Sequence, residues 1–507
     1  MKRRDFLRGS FGALITAGFA SQSLATFNKS KKPNVLFIAV DDMNDWTADL
    51  KGYKAKAHTP NQQRLAAMGT KFNNAHTANP ICCPSRAAVM TGLKPSTSGV
   101  YNNGQWFYPA MPEHRTIPLY FRYHGYGTFG AGKIFHHTAG NNPPLQWDKF
   151  HRLVFNDDPW FRGVKLNYPW SNVTGYPEGY PFCGIKNIPH ECDWGVLDKE
   201  ETDYDDARSV NFACDILKQK HDKPFFLACG TFRPHLPWYV PQKYVDMYPL
   251  EDIQLPIVPD DDMDDIPPQG QKLSKTRRAD FERIKKAGKW QEAIQHYLAS
   301  ITFADAQVGR LLDTLQASDY ADNTVVVFWS DHGWHLGEKN HWHKMTLWEE
   351  ATRVPFYICA PGIANGQFDG PVSLLDIYPT LIDLCGLKDK SDLDGESLVP
   401  FMKNNKAKKK TPAVIQYQPG QCAIRSQRWR YICYSDKTEE LYDHNNDSNE
   451  WHNLANDKKY AKVKEELKRW LPKEWAKGVP SKGAYKFDHV SYSWTDKKTG
   501  KVISGLK

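Results

Sequence analysis

Three apolar runs limit what this chain can become. Asn34–Val40 (NVLFIAV), Phe225–Cys229 (FFLAC) and Thr324–Trp329 (TVVVFW) are rich in β-branched and aromatic residues. They lack the apolar–polar alternation of a half-exposed strand. A strand apolar on both sides must be covered on both faces, as in parallel sheets held between helices. Val354–Ile358 is a fourth run of this type. Helical patterns lie between the runs, at 61–68, 85–91, 290–318 and 374–384. In the longest, Ile294, Tyr297, Leu298, Ile301, Val308 and Leu312 recur at helical spacing. The alternation predicts an α/β fold with a mainly parallel sheet flanked by helices.

At 507 residues the chain has room for one large α/β domain and a smaller companion. Residues 138–200, rich in Pro, Gly, Trp and Asn, read as long surface loops. The acidic, Pro-containing stretch 252–280 reads as an excursion over the surface. Segment 403–411 (KNNKAKKKT) reads as a linker; it has no aromatic residue of the kind a nucleic-acid patch uses. Short antiparallel strands follow at 414–417, 423–425, 429–434 and 440–442, then a helix at 460–471. The expected organisation is a catalytic domain over 33–402 and a smaller C-terminal α+β subdomain over 412–507, with no internal repeats.

The net charge is +8, of which Lys2, Arg3, Arg4 and Arg8 less Asp5 account for +3, so the rest of the chain is near +5 with its basic residues scattered. No nucleic-acid partner is expected, and an anionic substrate suits this balance equally well. Mean hydropathy is −0.63. No stretch after the first 25 residues approaches the roughly 18 apolar residues of a membrane span, so none is expected.

Residues 1–25 read as an export signal: a twin-arginine pattern (Arg3-Arg4-Asp5-Phe6-Leu7), a weakly apolar run Phe11–Ala20, and a small-x-small cleavage site, Ser23-Leu24-Ala25. A short basic amphipathic helix is the alternative. With no Cys after the site, no lipid anchor is expected, and the destination is the periplasm or the exterior. That compartment permits disulfides. Cys183–Cys192, in a Gly/Pro-rich loop, is the first candidate pair and Cys422–Cys433, flanking a hairpin, the second. Cys214, Cys229, Cys359 and Cys385 read as buried thiols.

Three short motifs carry chemistry. Asp41-Asp42 ends the first strand, the edge at which doubly wound sheets bind ligands. Adjacent carboxylates repel unless a cation or proton neutralises them, and oxygen donors favour Ca²⁺ or Mg²⁺. On its own the pair also fits a helix N-cap with a solvated neighbour. Ser330-Asp331-His332-Gly333 ends another strand; alone it fits a turn equally well, yet two such sites favour one shared metal. Cys82-Cys83-Pro84-Ser85-Arg86 opens a helix, where free N–H groups and Arg86 attract anions and lower a thiol pKa, although a structural Cys at a helix cap is an equal reading.

The third motif, continued as Ala87-Ala88-Val89-Met90-Thr91-Gly92, resembles the Cys-x-Pro-Ser-Arg signature of type I sulfatases. Within that family the chain looks most like the iduronate-2-sulfatase branch. Gly132-Lys133-Ile134-Phe135-His136, Arg233-Pro234-His235-Leu236-Pro237 (Arg where the branch has Lys), Asp331-His332, and Gly333-Trp334-His335-Leu336-Gly337-Glu338 with Lys344 carry this likeness. The resemblance covers about residues 33–505. It implies an alkaline-phosphatase-like fold, conversion of Cys82 to formylglycine by a maturation enzyme, bound Ca²⁺, and a sulfated oligosaccharide as substrate. An insert of the lysosomal enzyme seen between sheet and C-terminal unit is shortened here, so that enzyme's substrate does not transfer directly.

By the same resemblance Asp41, Asp42, Asp331, His332 and residue 82 hold the metal. Arg86 and Lys133 hold the nucleophile and the negative charge. His235 and Lys344 bind sulfate and protonate the leaving sugar oxygen. His136 removes the proton from the second hydroxyl of the hydrated aldehyde, releasing sulfate. Asn102 and Asn103 are candidate substrate contacts; Trp106, Trp334 and Trp342 are candidates to stack on sugar rings, with core or rim packing the slightly favoured reading; His137, His335, His341 and His343 read as structural or rim residues. The expected activity is an exo-acting carbohydrate sulfatase, with 2-O-sulfated uronic-acid or algal fragments favoured. The rivals are a formylglycine-dependent phosphonate or phosphate monoester hydrolase, and an inactive Ca²⁺-dependent glycan-binding protein; the latter predicts a missing motif residue, and none is missing.

Overall fold

The computed structural model describes residues 32–154, 178–189 and 192–506. The export signal expected at 1–25 lies outside the described residues. The centre is an eight-stranded sheet: β1 (Asn34–Val40), β2 (Thr70–Phe72), β3 (Gly127–Gly132), β4 (Lys149–His151), β5 (Phe225–Gly230), β6 (Thr324–Ser330), β7 (Phe356–Cys359) and β8 (Gly366–Phe368), in spatial order β8-β2-β7-β6-β1-β5-β3-β4. β1 lies between β5 and β6, parallel to both. β7 alone is reversed, antiparallel to β6 and β2. The run at 354–358 therefore forms the buried strand expected of it but not a parallel one. The connection 331–355 between β6 and β7 holds no α-helix longer than the four-residue Glu349–Thr352, so it lacks the crossover helix that usually carries a parallel return.

Both faces of β1 are covered, as its composition requires. Leu36, Ile38 and Val40 pack under helices α4 (Asp205–Leu217) and α6 (Trp290–Gln316). Val35, Phe37 and Ala39 pack against α2 (Cys82–Thr91), α3 (Ile117–Tyr123) and α7 (Ile377–Leu384). Helix α1 (Pro60–Met68) closes one edge. The stretch expected to wander over the surface at 252–280 instead contains most of α5 (Pro268–Lys286), whose Leu273, Phe281 and Ile284 are buried under a polar outer face. No helix of the described residues is long and apolar enough to cross a membrane.

The C-terminal part has two pieces. A four-stranded antiparallel sheet, β9 (Ala413–Gln418), β10 (Gln421–Arg425), β11 (Trp429–Cys433) and β12 (Glu439–Asp443), is sandwiched by alternation. Ile415, Ala423, Ile432 and Tyr442 face Trp348 of the large domain; Cys422, Ile424, Tyr431 and Leu441 face helix α8 (Ala461–Lys468). The last strands, β13 (Tyr485–Asp488), β14 (Ser493–Asp496) and β15 (Val502–Ser504), leave this unit. Their Tyr485, Trp494 and Ile503 join the large domain's core beside Trp106 and Tyr108. Segment 403–411 is mostly exposed but anchored at one point, where the side chain of Lys409 is buried and paired with Glu396 at 2.7 Å.

Arg430 fastens the four-stranded sheet to the large domain. Fully buried, it pairs with Glu450 at 2.5 Å and with Glu349, and donates to Leu347 O at 2.8 Å. Arg430→Ala would leave buried Glu349 with Arg425 and buried Glu450 with His444 as their closest remaining ion-pair partners, and is expected to cost about 3–5 kcal/mol. Calorimetric unfolding of the pair of proteins checks this, and a loss below about 1 kcal/mol would mean the network is solvated.

Among the cysteines, none is bridged. The candidate pair Cys183–Cys192 is not bridged: Cys192 Sγ lies 3.1 Å from His343 Nε2, while the Cys183 amide donates to Asp193 Oδ1 at 2.8 Å. Cys422 and Cys433 stand opposite each other in the β10–β11 register as separate thiols.

Candidate active site

The site forms where β1, β3, β5 and β6 end together. Beyond β1 the chain turns sharply, with Asp42 in the left-handed region at φ 60°, a conformation Asp tolerates. The turn is fixed on both sides: Asp42 N donates to Asp331 Oδ1 at 3.2 Å, and Tyr297 OH donates to Asp42 O at 2.8 Å. Both carboxylates are thereby held, fully buried, at one edge. β3 and β5 approach so closely that a Cβ on Gly132 would lie 1.9 Å from Gly230 O. Gly132 itself has φ 72°. This crossing directs Lys133 to Asp41, with which it forms a buried ion pair.

Helix α2 begins at Cys82, three residues ahead of its expected start. Arg86, one turn on, is fully buried and grips the site's frame. It donates to Asp331 Oδ2 at 2.8 Å, Asp41 Oδ1 at 3.0 Å, Val40 O at 3.2 Å and the Lys133 carbonyl. Ser85 Oγ donates to Asp331 O at 2.6 Å. Cys82 Sγ then lies 3.1 Å from Lys344 Nζ, 3.3 Å from His332 Nε2 and 4.0 Å from Lys133 Nζ. Burial pushes its thiol pKa up, against the pull of Lys133 and Lys344.

Lys344 is held by an unusual stretch of backbone. His343 (φ 82°) and Met345 (φ 78°) flank it in positive-φ conformations, and His341 Nε2 contacts its carbonyl at 2.8 Å. Residues sustain such strain where packing over-determines them. The Lys344 ammonium sits 2.5 Å from Asp42 Oδ1. Burial works against this charge, yet Asp42, Cys82, Asp41 and Asp331 together outweigh it and raise the Lys344 pKa above the ordinary range. His235 lies between two cis prolines, Pro234 and Pro237. Its Nδ1 contacts Leu236 O at 2.5 Å, and its Nε2 faces Asp42 Oδ2 at 3.7 Å.

The donor set fits a hard cation. Asp41, Cys82, Asp331 and His332 present ligand atoms within 4.8 Å of one another, as do Asp41, Asp42, Cys82 and His235. His332 Nδ1 lies 3.1 Å from Gly333 O, so its proton sits there and the lone pair of Nε2 is turned to the site. Burial holds this imidazole neutral, below its usual pKa. Asp42 Oδ2 is buried without a hydrogen-bond partner. Burial first, with Asp41 beside it, pushes the Asp42 pKa up to about 8 despite Lys344. For Asp41, Lys133 and Arg86 overcome burial and hold the pKa well below the usual range. A carboxylate pair this dry requires a proton or a cation, and the oxygen-rich set suits Ca²⁺ or Mg²⁺.

His136 is buried beside these groups, its Nδ1 without a partner. Burial, Lys482 and Lys133 keep the ring neutral, well below an ordinary imidazole pKa. The sequence reading thus names residues that meet at one point, but its sugar contacts fare differently. Trp106 is packed against Trp494 and Phe487 with its indole N–H on Ala139 O, and Trp334 and Trp342 are buried against Trp238. All three are buried in packed aromatic clusters, which fits the core packing favoured for them over sugar stacking. Asn103 Oδ1 accepts from Cys83 N at 3.0 Å, orienting the start of α2, and Asn102 is exposed. His335, bonded to Thr346 Oγ1 at 2.6 Å, and His343, on Cys192 and Asp280, are structural. Lys482, which stands beside His136, was not anticipated. It lies in the C-terminal part, with no motif around it.

Residues 33–387 match a family profile described as Sulfatase, and residues 337–477 one described as N-sulphoglucosamine sulphohydrolase, C-terminal. A curated sulfatase of Formosa agariphila is 40% identical over 488 residues, 93% of this chain and 92% of that protein. Human iduronate 2-sulfatase is 31% identical over 399 residues, 70% and 69% of the two chains. The solved phosphonate monoester hydrolase of Silicibacter pomeroyi superposes with a TM-score of 0.70 at 22% identity, covering 86% of this chain and 94% of that one.

Proposed function

The chain belongs to the sulfatase family, the sulfuric ester hydrolases, and on that premise we propose that it desulfates a carbohydrate, with residue 82 as formylglycine and Ca²⁺ between Asp41, Asp42, Asp331 and His332. The observation that carries this reading is the meeting of Cys82 with Lys344, His332 and Lys133 inside 4.0 Å. A uronic-acid-containing or algal fragment, attacked at a chain end and at a 2-O-sulfate, is the favoured substrate. The name of the human relative, iduronate 2-sulfatase, supports the uronate. Export by the twin-arginine route, to the periplasm or beyond, completes the proposal and rests on Arg3-Arg4 and Ser23-Leu24-Ala25.

The charges are matched to the chemistry. Asp41, Asp42 and Asp331 face Arg86, Lys133 and Lys344, three against three. A bound divalent cation would leave the site positively charged, stabilising a sulfate ester's oxygens and the nucleophile's anion. Arg86 cannot move or lose its proton, so it fixes the spacing of Asp41 and Asp331. Lys344 Nζ, 3.1 Å from the nucleophile position, keeps its proton and can bind a sulfate oxygen or protonate the leaving oxygen. His235 is held neutral by burial, Lys344 and Lys133. An incoming sulfate opposes those two cations, so substrate binding itself favours the protonated ring that an acid needs.

His136 is suited to the opposite task. A neutral imidazole with an unpartnered ring nitrogen accepts a proton, and we assign it the base of the second half-reaction. His136→Ala is expected to lower kcat by about 100- to 1,000-fold with a smaller effect on KM. Steady-state kinetics on an aryl sulfate test this, and a change confined to KM would reassign His136 to binding. The fold likeness to a phosphonate monoester hydrolase favours one rival reading. Side-by-side turnover of aryl sulfate and aryl phosphonate decides between them; a preference for phosphonate would refute the sulfatase proposal.

A further inference from the structure

Residues 478–506 lie beyond both matched profiles, yet they pack against the loop after α2 and bring Lys482 beside His136. Val479 N donates to Gly99 O at 2.9 Å, Gln105 Nε2 to Val479 O at 2.7 Å, and Lys482 N to Gly104 O at 2.7 Å. The segment is thus laid along the loop that follows α2, the loop whose Asn103 orients Cys83. The side chain of Lys482 is partly buried here. Its ammonium donates to Thr138 Oγ1 at 2.7 Å and lies 5.8 Å from the Trp106 ring centre.

The electrostatics of this ammonium are unlike those of its neighbours. Lys133 and Lys344 each pair with a site carboxylate. Lys482 has a hydroxyl and an indole, and no carboxylate of the described residues is within ion-pair distance. After burial, its charge is the strongest influence on the neighbouring His136. A cation drawn out of water without a counter-charge is unfavourable unless a ligand supplies one. Its backbone is pinned, so the ammonium stays beside Thr138 and His136.

We propose that Lys482 is a specificity-determining residue that binds a second anionic substituent of the substrate, a carboxylate or a further sulfate, on the sugar bearing the scissile ester or on its neighbour. This rests on the sulfatase reading above. The C-terminal segment thereby brings to the site a positive charge that, unlike Lys133 and Lys344, has no carboxylate of the described residues paired with it.

The test compares three aryl glycosides: a 2-O-sulfated glucoside, the matching 2-O-sulfated glucuronide, and a 2,6-di-O-sulfated glucoside. Wild-type enzyme is expected to prefer at least one doubly anionic compound. Lys482→Gln, which keeps the stem and a donor for Thr138, is expected to lower that preference roughly 10- to 100-fold, mainly through KM. Lys482→Arg restores most of it. Loss confined to the glucuronide identifies a carboxylate partner, and loss confined to the disulfate a second sulfate. An equal change on all three substrates, or no preference in the wild type, overturns the assignment. Should the wild type release no sulfate from any of them or from an aryl sulfate, the sulfatase reading itself has failed.

Discussion

Cys82→Ala protein is expected to fold normally and to lose sulfatase turnover by at least about 10⁴-fold. The side chain is fully buried, and Ala fits the space with the loss of one atom. Around it Arg86 still joins Asp41 to Asp331, and Lys133 still pairs with Asp41, so the charged frame does not depend on the sulfur. What is lost is the one atom that Lys344, His332 and Lys133 all face. Cys82→Ser sharpens the test. A serine hydroxyl that captured sulfate would have no second oxygen with which His136 could expel it, so the variant is limited to a single turnover per molecule. Multiple turnovers by either variant would remove residue 82 from the chemistry.

The second large effect concerns the cation. Stripping divalent ions with a chelator is expected to lower turnover on the order of 10³-fold, and Ca²⁺ is expected to restore it. A readout independent of activity accompanies this. An ion that binds only the folded chain stabilises it by about 2.7 kcal/mol when present at one hundred times its Kd, so unfolding shifts to higher temperature as Ca²⁺ is titrated. Asp331→Ala should abolish this shift. It also deprives Arg86 of its Nε partner, leaving the guanidinium with Asp41 and backbone carbonyls. A wild-type unfolding temperature indifferent to Ca²⁺ would place the ion elsewhere or nowhere.

Much of this arrangement is legible in the sequence because its parts are local. Cys82 to Arg86 are consecutive, and Asp41-Asp42 and Asp331-His332 each directly follow an apolar strand, which favours one shared site, while the resemblance to type I sulfatases is what joins the three motifs. Strand β3 is not legible in the same way. Its sequence, GTFGAG, has little β propensity, and it is a strand because β5 and β4 pair with it and because glycine permits the crossing at Gly132. Helix α5 was obscured by its charge, since a few buried residues among many Lys, Arg and Glu mark its inner face. The reversal of β7 depends on the absence of a crossover helix rather than on the strand's own residues. Lys482 is farthest from any sequence signal: it meets Thr138 from 344 positions away, with only tertiary packing to join them. The aromatic candidates stayed ambiguous for a related reason. Tryptophan serves core and sugar alike, and β13–β15, which bury Trp106, carry no pattern that announces where they dock.

The central claim is that the thiol of residue 82 becomes an aldehyde seated among these carboxylates, and mass spectrometry of the tryptic peptide spanning 72–86 tests it most directly. In protein produced alongside a maturation enzyme, the account predicts a peptide in which one sulfur and two hydrogens are replaced by one oxygen at position 82, with activity proportional to the converted fraction. Full activity from protein that carries an unmodified cysteine there would contradict it.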